Sequence, residues 1–320
     1  MRRVLVTGGA GFIGSHVADL FVANGWDVTI VDDLSTGKRE NLSGTAELHE
    51  ISVTSPEFAR LVGAGKFDVV AHLSGQIGVR ISVDDPIADA NTNILGTLNL
   101  MEALRTSGAQ TRVVCASTGG LLYGDFNDPP NLENYPKDPE SPYAVAKLSV
   151  EYYLAYYSRV HEREYAALRL CNVYGPRQDP GGEAGVVAIF CGRILNNRPL
   201  TVFGDGHQTR DYVYVADAAR AFWLAATRLL PAKGRLDGRS FNIGTGSGTT
   251  VLEIARLLQE AAGSDVPVEF SPPPPGEQQR SLVNADKARE LLEWSPQVAL
   301  ADGLGKTYEW FARQGKGVAV

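Results

Sequence analysis

The first fourteen residues constrain the fold most. Val4-Leu5-Val6 is a short apolar run, Thr7 ends it, and Gly8, Gly11 and Gly14 follow at three-residue spacing. Ile13, Val17, Leu20 and Phe21 then recur with helical periodicity. Strand, glycine turn and helix in that order bring the backbone close to a pyrophosphate, whose charge the helix N-terminus stabilises. A glycine triplet can also be no more than a tight strand-to-helix turn. Asp32 weighs against that reading: it ends the next apolar run, Val28 to Val31, 18 residues after Gly14. A carboxylate there accepts hydrogen bonds from an adenosine ribose and repels a 2′-phosphate. The pattern predicts dinucleotide binding, with NAD preferred over NADP. Lys38 and Arg39, a few residues on, also read as a solvated loop.

Phe67 to Leu73 and Val113 to Ala116 are further strand-like runs, separated by helical stretches such as Ile94 to Leu104. Strands alternating with helices predict a parallel sheet covered on both faces. After about residue 170 loops rich in Gly and Pro appear, and strand-like pieces return at Leu200 to Phe203, Tyr212 to Val215 and Phe241 to Ile243. An amphipathic helix follows Thr249 or Thr250. The expectation is an α/β protein: a Rossmann-type doubly wound parallel sheet over residues 1–170, rejoined by segments around 211–246, and a smaller α+β substrate-binding domain over 171–320.

Composition narrows the partners. A net charge of −7 over 320 residues argues against nucleic acid or an anionic membrane as the main partner. The three cysteines are scattered without a C-x-x-C spacing and the five histidines are dispersed, so no metal site is expected. No apolar run reaches the roughly 18 residues of a membrane span, and no signal region opens the chain, so a cytoplasmic location is expected.

Two further stretches carry chemistry. Tyr143 and Lys147 stand four apart, on one helical face, behind Ser141-Pro142, a plausible N-cap and first residue. Beside a nicotinamide, the ammonium would favour the phenolate, making Tyr143 a general base near neutral pH, and Lys147 could hold the nicotinamide ribose. Ser117-Thr118-Gly119-Gly120-Leu121-Leu122-Tyr123-Gly124 ends an apolar run with two hydroxyls and two glycines, and with no acid, base or metal ligand among them. It is either a turn or a site from which particular side chains are missing.

With these stretches the chain resembles the extended short-chain dehydrogenase/reductase family, in particular its nucleotide-sugar epimerases and dehydratases, and most of all the UDP-glucose 4-epimerases. The likeness runs through "VTGGAGFIGSHVADL", "VDDLSTGKRENL", "HLSGQIGVRISVDDP", "NTNILGTLNL", "STGGLLYGD", "SPYAVAK", "LRLCNVYGPRQDP", "GEAGVVAIF", "FGDGHQTRDYVYVAD", "FNIGTG" and "PGEQQRSLVNADKARELLEWSP". It implies bound NAD, a UDP-hexose substrate (UDP-glucose/UDP-galactose by default, UDP-GlcNAc as well) and a homodimer formed through two long helices, Ile94 to Leu104 and Tyr143 to Tyr157. A UDP-glucuronate 4-epimerase shares most of these motifs. A catalytically silent NAD-responsive binding protein is the alternative of another class.

The resemblance also implies roles. A Ser or Thr hydroxyl joins Tyr143 and Lys147, usually at the place that is Gly119 here, so Thr118 is expected to serve instead, with Ser117 second. Both could simply end the strand. Related dehydratases and decarboxylases carry acids in this segment, where this chain has Gly119 and Gly120. Gly8, Gly11, Phe12, Ile13, Gly14, Asp32, Asp33, Lys38, Glu50, Ile51, Leu73, Gln76 and Asn93 are the implied cofactor positions. Arg80, Ser82, Asn172, Val186, Val187, Leu200, Thr201, Phe203, Arg210, Arg280 and Ser281 are the implied substrate positions. For Arg210 the alternative is an ion pair with Asp211 or Asp217. Pro274 stands where the family usually has an arginine, which Arg280 could replace. Ser281 would stand beside the sugar's C2 substituent, or be an ordinary turn serine. His72 is expected to pack under the sheet edge.

Overall fold

Seven strands make one parallel sheet: β1 (Arg3–Thr7), β2 (Asp27–Asp32), β3 (Glu47–Glu50), β4 (Val69–His72), β5 (Arg112–Thr118), β6 (Tyr165–Leu170) and, after β7 (Asn172–Tyr174), β8 (Leu200–Phe203) and β9 (Thr209–Tyr214), the strand β10 (Ser240–Ile243). Their order across the sheet is β10-β6-β5-β4-β1-β2-β3. The order reverses between β1 and β4, the switch point at which open α/β sheets bind ligands. The computed structural model describes residues 1–125, 127–181, 185–232, 234–273 and 278–315.

Strand alternation builds two cores from one sheet. Val4 and Val6 face one side and Leu5 the other; Val69 and Ala71 oppose Val70, and Val114 opposes Val113 and Cys115. The helices, in chain order, are α1 (Phe12–Ala23), α2 (Pro56–Ala64), α3 (Val79–Asp84), α4 (Pro86–Ala90), α5 (Gly96–Ser107), α6 (Pro142–His161), α7 (Val186–Leu195), α8 (Val215–Thr227), α9 (Val251–Ala262), α10 (Asp286–Leu292) and α11 (Leu300–Gln314). On the first face Val17 and Phe21 of α1 meet Phe222 and the alanines of α8. On the second, Phe58 of α2, Leu100 and Leu104 of α5, and Val150 and Leu154 of α6 close the core. Each such fully buried side chain contributes about 1.5–3 kcal/mol.

The helix expected at Ile94 begins differently. A π-type turn spans Asn91–Leu95 before α5 starts at Gly96. Helix α6 starts as expected, with Pro142 in its first turn and the Ser141 hydroxyl accepting from Ala144 N at 3.2 Å. Thr250, rather than Thr249, caps α9 by accepting from Glu253 N at 3.1 Å.

Within 211–246, β10 lies in the large sheet beside β6 and α8 packs on α1. The β9 strand instead centres a second sheet, flanked by β7, β11 (Gly248–Thr250) and β13 (Arg280–Ser281). Tyr212 to Tyr214 are therefore not part of the first sheet, and Val215 already belongs to α8. A third core joins α7, α9 and α11 around Phe190, Leu258 and Phe311, next to the β8–β12 pair, where β12 is Val268–Ser271.

Candidate active site

The glycine turn is built for close approach. A Cβ at Gly14 would collide with the carbonyl oxygen of Gly8, so α1 can start this near the end of β1 only with glycine there. Gly11 is the N-cap; no side chain caps the helix and no acid stands in its first turn. Those N–H groups are left for an anion. At the end of β2, Asp32 accepts from Ala10 N on Oδ2 and from Leu34 N on Oδ1, both at 2.9 Å. Burial pushes the carboxyl up, and these backbone bonds pull it back. Each oxygen retains acceptor capacity for a ribose hydroxyl. The open helix end and the fixed carboxylate together fit a dinucleotide.

Beyond Asp32 the loop is less committed. Asp33 Oδ1 accepts from Ser35 N and Oγ at 3.1 and 2.6 Å, which closes its own turn. Exposed Glu50 pairs with Arg39, and Ile51 packs on the second core. Lys38 reaches Asp179 at 3.3 Å, across to the segment after β7. Phe12 and Ile13 are half-buried on α1.

Under the sheet's switch point, His72 is not at an edge. It lies in central β4, bonded by Nδ1 to Thr7 Oγ1 at 2.8 Å and by Nε2 to Thr97 Oγ1 at 3.1 Å. Burial lowers its pKa to about 3, with the charge of Lys147 adding to the effect. It is a neutral structural bridge. Leu73 follows, its N–H donating to Thr7 O at 3.1 Å.

The Tyr143–Lys147 pair lies on α6, with the Lys147 ammonium 5.7 Å from the centre of the Tyr143 ring. Burial raises the phenol's pKa, and Asp89 and Cys115 raise it further; burial lowers that of Lys147. The ammonium faces the ring. Near Lys147, Asn93 Nδ2 donates to Asp89 Oδ1 at 2.9 Å and to Gln76 O at 3.0 Å. Gln76 Nε2 donates to the same Asp89 oxygen at 3.0 Å. Asn93 Oδ1 and Asp89 Oδ2 are buried with no partner. Such orphaned acceptors mark a place where a polar ligand group fits.

Strand β5 separates the two hydroxyl candidates. Ser117 Oγ donates to Glu151 Oε1 at 2.6 Å inside the protein, which removes Ser117 from the catalytic set. Thr118, one residue on, points to the opposite face, and among the described residues no hydrogen bond engages its hydroxyl. A Cβ at Gly119 would stand 2.7 Å from the Arg169 carbonyl oxygen, so that place has no room for a side chain. The Ser281 hydroxyl donates to Gly120 O at 3.1 Å.

Ser82 is a second correction. It is fully buried, donates to Val79 O at 2.6 Å and accepts from Tyr143 N at 3.2 Å. It holds the first turn of α6 and has no free face for a sugar. Val187 likewise is buried in the third core, so only its backbone could meet a ligand, whereas Val186 is half-buried. Arg80 is exposed on α3.

The second sheet gathers much of the implied substrate set. Ser281 lies opposite Arg210 in the β13–β9 ladder and Arg280 opposite Thr209, while exposed Asn172 starts β7, which pairs with β9 farther along, opposite Tyr212. Arg210 Nη1 donates to Thr209 O at 3.0 Å. Asp211 accepts from Thr245 and Gly246, and Asp217 from Gln297, Val298 and Arg220. Arg280 pairs with exposed Asp128 at 3.2 Å. Leu200 is buried in β8, where Thr201 is half-buried and Phe203 is 44% exposed. Pro274 lies outside the described residues.

Three residues that the sequence reasoning did not single out complete the surroundings: Asp89, Glu151 and Arg169. For Glu151 a signal existed, because Tyr143, Lys147 and Glu151 recur every four residues and so share one helix face. Among the described residues no group of His, Cys, Asp and Glu could hold a metal, and no helix is long and apolar enough to cross a membrane.

Comparison with known proteins agrees with this geometry. Residues 4–244 match the NAD dependent epimerase/dehydratase family. The UDP-glucose 4-epimerase of Mycolicibacterium smegmatis is 44% identical over 97% of this chain and 98% of its own. The crystal structure of Thermotoga maritima UDP-glucose 4-epimerase with UDP-glucose superposes with a TM-score of 0.92 at 44% identity, covering 98% of this chain and 99% of that one. That of the Thermus thermophilus UDP-glucose 4-epimerase complex with NAD gives 0.89 at 41% identity, over 97% and 99%.

Proposed function

The chain belongs to the NAD dependent epimerase/dehydratase family, and from that premise we propose that it is a UDP-sugar 4-epimerase interconverting UDP-glucose and UDP-galactose. One observation carries the reaction type. Strand β5, which packs against the α6 helix of Tyr143 and Lys147, ends in Thr118 and is followed by Gly119 and Gly120, and neither glycine can move a proton. Elimination or decarboxylation needs an acid in that segment; oxidation and re-reduction at C4 do not.

Gly8, Gly11 and Gly14 would take the pyrophosphate of NAD on α1, Asp32 its adenosine ribose, and Lys147 and Asn93 its nicotinamide side. NAD, when bound, supplies a cationic ring that accepts a hydride from C4 and returns it. Tyr143 takes the C4 hydroxyl proton as the 4-keto sugar forms and gives it back after the sugar has turned. Beside the nicotinamide, the Lys147 ammonium favours the phenolate that the first step needs. Thr118 orients O4. Arg210 and Asn172 hold the UDP phosphates, where a guanidinium fork suits the geometry, with Thr201 and Phe203 at the uracil. Firm nucleotide contacts and loose sugar contacts allow rotation of the intermediate.

Apolar side chains exposed on α6, including Val145, Tyr152 and Tyr156, support a homodimer through that helix. Three buried free cysteines support a reducing, cytoplasmic setting. The test is NMR of UDP-glucose incubated with the protein and NAD. UDP-galactose should accumulate, with no 4-keto-6-deoxy or pentose product. Either of those products at a comparable rate, or no turnover, overturns the reading.

A further inference from the structure

Glu151 has no place in the chemistry above, yet it is fully buried and makes the densest set of polar contacts on α6. It accepts from Ser117 Oγ at 2.6 Å, from Ser240 Oγ at 2.8 Å, and from Arg169 Nε and Nη2 at 3.0 and 2.7 Å. Those donors come from three adjacent strands, β5, β10 and β6. Burial works to raise its pKa, but the Arg169 charge and these hydrogen bonds outweigh it, so the group is a carboxylate. Arg169 is itself tied to Tyr123 OH at 2.9 Å and to Asp237 at 2.8 Å.

Two of these bonds differ in what lies beside them. Ser117 immediately precedes Thr118, and Glu151 stands one turn beyond Lys147 on the helix that carries Tyr143. The Ser117–Glu151 bond therefore ties the strand bearing the hydroxyl to the helix bearing the acid–base pair. Ser240 makes an equally buried bond to the same carboxylate from edge strand β10, which carries no residue of the site. From this juxtaposition we infer that Glu151 is a positioning residue: through Ser117 it sets the spacing between Thr118 and the Tyr143–Lys147 pair. The inference rests on the epimerase reading.

The comparison is Ser117→Ala against Ser240→Ala. Each removes one donor from Glu151 and leaves the Arg169 pair intact, so both should lower the melting temperature by similar amounts. A displacement of reacting groups by about 1 Å can cost 10²-fold in rate, and a partial loosening should cost Ser117→Ala about tenfold in kcat. Its KM for UDP-glucose and its NAD content should stay within about twofold of the parent, since the binding groups are untouched. Ser240→Ala should keep kcat within about twofold. Equal losses of kcat in the two variants, or a loss in Ser117→Ala that appears only in KM, overturn the inference. An inactive parent protein would instead overturn the epimerase reading, so the two failures are distinct. Should Ser117→Ala fail to fold, Glu151→Gln, which keeps the size and one acceptor oxygen, carries the same expectation of a kcat loss with KM retained.

Discussion

The Lys147 ammonium stands 5.7 Å from the centre of the Tyr143 ring, one helical turn along α6, and faces the ring rather than extending the chain of hydrogen bonds. Both groups are held in a poorly solvated place, and burial moves the two pKa values toward their neutral forms. Removing the phenol oxygen should therefore remove the proton carrier and little else. Tyr143→Phe is expected to lower kcat by about 10²–10⁴-fold with UDP affinity retained. Near-parental turnover in that variant would exclude Tyr143 as the acid–base group.

Restoring a hydroxyl at position 119 should harm the protein. The Gly119 Cβ direction ends 2.7 Å from the Arg169 carbonyl and 3.2 Å from Val283. Gly119→Ser is expected to destabilise by about 1–3 kcal/mol, the usual cost of overpacking, and to leave kcat no higher than in the parent. Thermal melting and a parallel rate measurement decide it. A variant as stable as the parent and faster would show that the segment has room after all.

His72 makes stability depend on pH. Its folded pKa, lowered to about 3 chiefly by burial, lies below the unfolded value near 6.5. The unfolded chain therefore takes up a proton that the native protein refuses, so this contribution is full above pH 6.5 and is lost as pH falls toward 3. Between pH 7 and pH 5 it should amount to about 2 kcal/mol. His72→Asn should remove that share of the slope in urea unfolding. The same pH dependence in both proteins would contradict the assignment.

Ser281 offers a test of substrate size. Its buried hydroxyl meets Gly120 O, two residues from Thr118, and it pairs in register with Arg210. Standing beside the sugar's C2 substituent, as the family resemblance implies, so small a residue would leave room for an N-acetyl group. Ser281→Tyr should depress kcat/KM for UDP-GlcNAc far more than for UDP-glucose, because exclusion by bulk discriminates more sharply than a lost contact. Equal losses on both substrates, or no parental activity on UDP-GlcNAc, would count against Ser281 as the gate.

The dinucleotide half was legible because its signals are local. A glycine turn, an acid ending the second strand and a Ser-Pro helix start each depend on sterics within a few residues, and β1, β2, β4, β5, α1 and α6 stand where those patterns put them. The second half was less so. The β9 strand has the composition of a core strand, and only its partners, β7, β11 and β13, show that it leaves the large sheet. Strand β6 carries Arg169 in the middle of an apolar run, and that charge is acceptable only because Glu151 meets it from another element.

The sequence by itself determined that two hydroxyls end β5 and that no acid follows them. It could not say which hydroxyl is held inside the protein. In a parallel sheet both faces are buried, so alternation brings no polar side to read. Tertiary structure decided which one the packing takes up: α6 delivers Glu151 to the face that Ser117 occupies, 34 residues earlier in the chain, and strand geometry turns Thr118 the other way, where no hydrogen bond among the described residues engages its hydroxyl. The same holds for Ser82 and His72. Each is a polar residue at a plausible position, and each is withdrawn from chemistry because the packing of distant segments satisfies its hydrogen bonds within the protein.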